Sequence, residues 1–172
     1  MKKIKIISII LLFLGASGFL IFKIFGEKSP FSSCVILEEK FCKKGEKVYI
    51  KGEFSGLGFN LPEETKIFAP YDGFFSPGNF HFPKEKGFEE YPGISFHKTP
   101  KRGESVGMAF SKINFKIDLK RPGSPVKKGE VIGLIAEGKI EPLGDYNFFL
   151  ILADKEAKTM PILPNNYWKF FK

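Results

Sequence analysis

Residues Thr65–Gly73 read T-K-I-F-A-P-Y-D-G. A second stretch, Val126–Ala153, opens V-K-K-G-E-V-I-G-L-I-A-E-G and closes G-D-Y-N-F-F-L-I-L-A. The first combines a short apolar strand, a proline, an Asp-Gly pair that marks a tight turn, and a second strand. The second places a lysine-glycine turn before one apolar strand and a polar loop before another. Both read as strand–turn–strand units, and the predicted domain is a β-structure built around these two hairpins.

The rest of the chain agrees with a β-rich reading. Lys47–Phe54 alternates K-V-Y-I-K-G-E-F, as a half-buried strand does. Ser55–Asn60, S-G-L-G-F-N, is punctuated by glycine and predicts a turn. Val35–Leu37 predicts a brief strand. Lys66–Ala69 and Gly73–Ser76 flank Pro70-Tyr71-Asp72 as the two arms of the first hairpin. Pro77–Tyr91 predicts a loop or hairpin and Gly93–Lys98 a strand. The stretch from Phe110 to Leu119 alternates apolar and polar, which predicts a strand with one wet face. Val131–Ala136 and Phe148–Ala153 are continuously apolar and predict buried strands. Met160–Lys172 ends W-K-F-F-K and is expected to cover an open sheet edge. No segment after the N-terminal run carries a 3.6-residue apolar stripe. Short strands with Gly and Pro turns predict an all-β barrel-sandwich hybrid or small β-sandwich.

The N-terminus predicts a membrane anchor. Ile6–Phe22 is uncharged and apolar, follows Lys2, Lys3 and Lys5, and reaches bilayer-spanning length when Ile24 and Phe25 are counted with Lys23 snorkelling. A cleaved signal peptide is the competing reading, with Ala16-Ser17-Gly18 as its small residues, but apolar residues continue past them. The leading lysines orient the rest of the chain outward. The expected organisation is a basic cytoplasmic tip (1–5), a transmembrane signal anchor (6–25), a linker with a disulfide loop (26–46) and an extracytoplasmic β-domain (47–172). The expectation is a single-pass protein of the cytoplasmic membrane with one helix in the bilayer. In that compartment Cys34 and Cys42, the two cysteines of the chain, read as a disulfide.

The net charge of +8 falls by about three once the N-terminal lysines are set aside, and the remaining lysines are scattered. Scattered lysines predict a solvated surface and no nucleic-acid partner. The 21 phenylalanines are what an A/T-rich coding sequence produces, and they indicate little beyond a β-favouring core.

Lys66–Phe75, K-I-F-A-P-Y-D-G-F-F, resembles the "V-x-A-P-x-D-G-x-V" element of the lysostaphin-type (M23-like) endopeptidases. Pro125–Gly133 resembles the "x-V-K-K-G-Q-x-I-G" element of that family, and Gly144–Leu152 stands where its final "G-P-H-L-H-F-E" strand belongs. The lysine-glycine element is shared with biotinyl and lipoyl carrier domains and membrane-fusion adaptors. The resemblance runs from about Gly45 to Asp154. It implies a barrel-sandwich hybrid facing peptidoglycan, with one zinc held by an upstream His and Asp and by a His of the final H-x-H. Here Gly56 and Asn60 fall on the first His and the Asp, and Tyr146 and Phe148 fall on the H-x-H. None restores the lost ligands, because Asn is a poor zinc ligand and Gly and Phe supply no side-chain donor. The expectation is therefore a non-catalytic relative with no cofactor, binding peptidoglycan or scaffolding an envelope protein.

Other chemistry has thin support in the sequence. His81 and His97, with Asp72, Glu89 or Glu90, would be the residues of a relocated metal site in a divergent zinc metallopeptidase. No G-x-S-x-G and no phosphate loop occurs. Lys139 is the candidate for a carrier lysine, without the flanking motif of such domains. An envelope-complex adaptor of the biotinyl/lipoyl-like barrel type is a third class. Phe74, Phe80, Tyr91 and Trp168 are the candidate ligand-stacking aromatics, against the alternative that they are core or edge cover.

Overall fold

The computed structural model describes residues 34–100, 103–119 and 121–154. The predicted anchor (6–25), Trp168 and the proposed edge cover of 160–172 lie outside these residues. Among the described residues no helix is long and apolar enough to cross a membrane.

The described chain is β-structure with almost no helix. A short helix, α1 (Glu39–Cys42), precedes ten strands: β1 (Glu46–Ile50), β2 (Glu53–Phe59), β3 (Lys66–Phe68), β4 (Gly73–Pro83), β5 (Phe88–His97), β6 (Ser105–Phe110), β7 (Ile113–Phe115), β8 (Pro125–Val126), β9 (Val131–Ile135) and β10 (Phe148–Ala153). They form a seven-stranded sheet ordered β1-β2-β10-β6-β5-β4-β8 and a three-stranded sheet ordered β3-β9-β7, every pairing antiparallel.

The two stretches that decided the β reading are each other's partners. T-K-I-F-A-P-Y-D-G is not a hairpin: β3 belongs to the small sheet and β4 to the large one. Lys127–Glu130 crosses between the same sheets in the opposite sense, from β8 to β9. β3 pairs with β9 and β4 with β8, so the two crossings run side by side. The Ala69 N–H donates to the Glu130 carbonyl (2.8 Å) and the Gly129 N–H to the Ala69 carbonyl (3.0 Å). The Lys128 N–H donates to Asp72 Oδ1 at 2.7 Å. Asp72 therefore clips the neighbouring crossing where the sequence suggests a hairpin turn. Gly129, at φ +78°, supplies the left-handed residue of the second crossing.

Four further expectations are corrected. Lys47–Phe54 is two strands, because Lys51 (φ +53°) and Gly52 (φ +84°) form a two-residue turn with both φ values positive, as in type I′. Ser55–Asn60 does not turn; through Phe59 it is strand β2. Its glycines admit close neighbours: a Cβ on Gly56 would lie 2.4 Å from the Leu150 carbonyl oxygen. Phe110–Leu119 is not one strand, since the chain leaves the large sheet after Phe110 and joins the small one at Ile113. Val35–Leu37 is a bend, although the Ile36 carbonyl accepts from the Phe68 N–H at 3.0 Å and docks this segment on β3.

Strand alternation divides the core. Phe148, Leu150 and Leu152 of β10 face the small sheet, joining Leu57, Phe59, Phe96, Phe110, Ile67, Ile132 and Ile135. Phe149 and Ile151 face the other way, into a second cluster with Val48, Phe82, Tyr91 and Ile140. A strand covered on both faces needs no polar alternation, which explains the run F-F-L-I-L-A. The Cys34–Cys42 disulfide is formed, and Cys42 is buried against the first cluster.

Candidate functional site

The outer face of the seven-stranded sheet, opposite the small sheet, carries the features suited to ligands. Along β4 it presents Phe74, Ser76, Gly78, Phe80 and Phe82. Across β5, β6 and β10 the registers bring Ser95 opposite Gly107, Gly93 opposite Ala109, and Ser105 opposite Ala153. The floor is made of small side chains. Phe80 lies across it: a Cβ on Gly93 would sit 2.3 Å from the Phe80 ring, and one on Gly107 2.9 Å. Glycine at both positions is the condition for this ring to lie flat on the sheet. The signal in sequence is faint, because Gly93 and Gly107 read as ordinary strand interruptions.

The Phe80 ring divides two grooves. The larger, about 720 Å³, is floored by Ser76, Gly78, Ser95 and Ser105 and walled by Phe80 and His97. No Asp, Glu, Lys or Arg is among its described lining residues. The smaller, about 430 Å³, is bounded by Phe80, Phe82, Phe88, Phe149 and Ile151, with Lys51, Glu53 and His81 at its rim. Phe88 at its edge is 71% exposed. Both volumes fall in the range of small-ligand sites. A neutral floor of hydroxyls beside an aromatic ring suits a polar, uncharged ligand such as a sugar or an amide backbone.

The four positions matched to zinc ligands do not form one constellation. Gly56 lies under the Phe149 ring, and Gly58 under the Tyr146 ring, whose Cδ2 would be 2.5 Å from a Cβ there. Asn60 is exposed just past β2. Phe148 faces the opposite side of the sheet, stacked on Phe110 with ring centroids 5.3 Å apart. The i,i+2 spacing puts two side chains on one face only within a strand. Tyr146 precedes β10, so it does not share the face of Phe148. The Tyr146 hydroxyl donates to Glu46 at 2.6 Å, and burial, then the Glu46 carboxylate, push its pKa up to about 12. The side chains present do not fit a zinc ion: aromatic rings occupy the space over β2, and they carry no nitrogen, thiolate or carboxylate donor.

His81 and His97 are held apart. His81 is paired with Glu90 at 2.9 Å, and Asn79 Nδ2 donates to the same carboxylate at 3.0 Å. His97 is seven residues beyond Glu90 on β5, about 23 Å along the strand at 3.3 Å per residue. The two cannot share an ion. Glu89 is paired with Lys84 at 2.8 Å, which holds its carboxyl below the usual range. Asp72 is occupied by the Lys128 N–H. No group of three or more metal-binding side chains converges among the described residues. Lys139 pairs with Asp145, whose carboxylate holds the ammonium pKa above the usual lysine range.

Of the aromatics proposed for ligand contact, Phe80 lines both grooves. Tyr91 is buried, and its hydroxyl accepts the Glu141 N–H at 2.9 Å, so its ring is core. Phe74 is half-buried beside His97 in register. Asn147 is a residue the sequence reading missed. It is buried, its Oδ1 accepts the Leu61 N–H at 2.9 Å, and its Nδ2 donates to the Leu61 carbonyl at 2.7 Å. It fixes the exit of β2 against the start of β10.

No family model and no curated protein matches the chain. Two solved structures of Helicobacter pylori Csd3 align with it at 16% identity. The orthorhombic form gives a TM-score of 0.43 over 67% of this chain and 26% of that chain. The hexagonal form gives 0.45 over 79% and 33%. The chain thus spans a third or less of the length of those proteins.

Proposed function

We propose that this chain is an M23-like, non-catalytic binding domain of the cell envelope, anchored by residues 6–25 and facing peptidoglycan. The observation that carries the reading is the larger groove, with its small hydroxyl-bearing floor, its Phe80 wall and no charged side chain among its described lining residues. Sugar rings stack on aromatic faces, and serine hydroxyls and Asn79 can exchange hydrogen bonds with sugar hydroxyls or amides. The resemblance of the two sheet-crossing stretches to the endopeptidase elements supports the family reading. The rings over Gly56 and Gly58 support a role without zinc chemistry. The formed disulfide is in keeping with an oxidising compartment.

The test is a pull-down of the full chain, in mild detergent, on insoluble peptidoglycan at physiological salt. Retention is expected, and Phe80→Ala is expected to weaken it roughly tenfold, the equivalent of one lost ring contact. No retention of the wild-type chain would overturn wall binding. Stoichiometric zinc in the purified chain, lost on His97→Ala, would overturn the non-catalytic reading.

A further inference from the structure

We propose that the open edge of β4 between Pro77 and Pro83 is a strand-addition site whose occupant is a short extended segment of a partner protein. The groups it uses are main-chain amides and carbonyls, so it stands apart from the peptidoglycan reading above.

β4 pairs with β5 over Phe74–Pro83 but with β8 only at Gly73 and Phe74. The Phe75 N–H donates to the Ser124 carbonyl at 3.3 Å, and the Phe75 carbonyl accepts from the Gly123 N–H at 2.7 Å. The main-chain groups of Phe75 therefore point away from β5. The β4–β5 register is unbroken, so those of Pro77, Asn79, His81 and Pro83 point the same way. No described strand meets them there. Asn79 and His81 are both exposed. Each offers an N–H and a carbonyl, about 7 Å apart along the strand. Pro77 and Pro83 offer carbonyls alone.

The other described edges are blunted in the ways natural sheets use. β1 carries Lys47 and a bulge at Val48/Tyr49. β7 has three residues, flanked by Lys112 and Lys116, and β8 has two. β3 has three, and its Phe68 N–H is taken by the Ile36 carbonyl. Along Pro77–Pro83 no lysine, bulge or described segment guards the edge. The two prolines instead set its length, leaving one hydrogen-bonded pair at Asn79 and one at His81. That window suits about five residues of an added antiparallel strand. It is too short to hold two copies of this chain together.

The flanking space fits side chains. Pro77 and Asn79 line the larger groove, and His81 and Pro83 line the smaller. A peptide on this edge runs from one groove to the other. Its residue opposite Gly78 meets open space, since nothing lies within 4 Å of a Cβ placed there. Its residue opposite Phe82 enters the smaller groove, which Phe80 and Phe88 also line. Alternate apolar residues fill these spaces while the main chain supplies the pairing.

The probe is a capped pentapeptide, Val-Thr-Val-Thr-Val, titrated into the isotope-labelled full chain in micelles. The Asn79 and His81 amides should shift and gain protection from hydrogen exchange severalfold. Methylating the second and fourth peptide nitrogens, which face the edge, should abolish binding. Methylating the third, which faces away, should preserve it. These arms use the wild-type chain and depend on no variant. His81→Pro keeps the bonds to β5, because the lost N–H faces the edge, and should weaken binding about tenfold. His81→Ala also loses the Glu90 pair but keeps the N–H, and should bind as the wild type does. No shift at Asn79 and His81, equal loss from methylation at either kind of position, or equal weakening by Pro and Ala would overturn the proposal. So would amides already protected in the free chain. Protection lost on dilution would assign the edge to a second copy, and protection kept on dilution to this chain itself.

Discussion

Asn147 gives the sharpest test of how this fold closes. Its side chain satisfies both backbone groups of Leu61, a residue 86 positions away in sequence and itself buried. Its backbone N–H donates to the Phe59 carbonyl at 3.0 Å, and its carbonyl accepts from the Ser111 N–H at 2.9 Å. Asn147→Leu keeps the branched outline of the side chain and the backbone bonds but strands a buried donor and a buried acceptor. Each stranded group costs about 1–3 kcal/mol, partly offset by about 1 kcal/mol from the more apolar side chain. The expected loss is about 2–4 kcal/mol, a large share of the 5–15 kcal/mol typical of a domain. The urea midpoint by far-ultraviolet circular dichroism should fall with m unchanged, and Tm should fall by roughly 10 °C. Asn147→Asp separates hydrogen bonding from packing. As a carboxylate it accepts from the Leu61 N–H but faces the Leu61 carbonyl oxygen; protonated, it donates to that oxygen. Its folded pKa should therefore lie above the unfolded value of about 3.9. A raised folded pKa means stability fully present below about pH 3.9 and lost as pH rises through the folded value. Relative to wild type, the variant should be more destabilised at pH 7 than at pH 3.5. An Asn147→Leu chain within about 0.5 kcal/mol of wild type, or the opposite pH trend for Asn147→Asp, would refute the argument.

Three further outcomes follow from the same structure. Cys34→Ala with Cys42→Ala opens a short loop and should lower stability by about 2–3 kcal/mol on the chain-entropy account, read from the shift in urea midpoint. Gly93→Ala drives a methyl into the Phe80 ring and towards the Met108 carbonyl oxygen, 2.7 Å away; it should cost about 1–3 kcal/mol, and a neutral result would show that Phe80 does not lie on the sheet. Tyr146→Phe should remove the phenol that ionises near pH 12 in an absorbance titration. Its folded pKa is raised, so its contribution is present below about pH 10 and lost as pH rises towards 12.

The sequence carried the strands whose pattern is local. Phe148–Ala153 and Val131–Ile135 are continuous apolar runs, and a run of that length between turn residues is legible as a buried strand. The hairpin of β4 and β5 was legible as an alternative, from the charged and glycine residues at its tip, where the Lys84 N–H donates to the Gly87 carbonyl at 3.1 Å. Glycine was the main source of error. In Ser55–Asn60 it makes room for the Phe149 and Tyr146 rings, whereas in Lys51-Gly52 it turns the chain. A single sequence does not distinguish the two uses, because the crowding atoms come from residues about 90 positions away.

The candidate site was still less legible. Phe80 could be named from its aromatic neighbourhood, but the glycines that seat it, Gly93 and Gly107, and the serines beside it come from three strands. Tyr146 and Phe148 could be matched to a motif by spacing, yet the strand begins only at Phe148, so the two face different ways. Tyr91 has the composition of a ligand contact and the environment of a core residue.

The sequence by itself determined the all-β class, the disulfide pair and the importance of Thr65–Gly73 and Val126–Gly138. Each follows from local alternation, turn chemistry and cysteine count. Only the tertiary structure decided that these two stretches cross between sheets side by side, with Asp72 holding the Lys128 amide, and that the outer sheet face is open beside Phe80. Whether a turn closes a hairpin or carries the chain to another sheet depends on which distant strands accept its backbone hydrogen bonds, and that partner choice is not written in the turn.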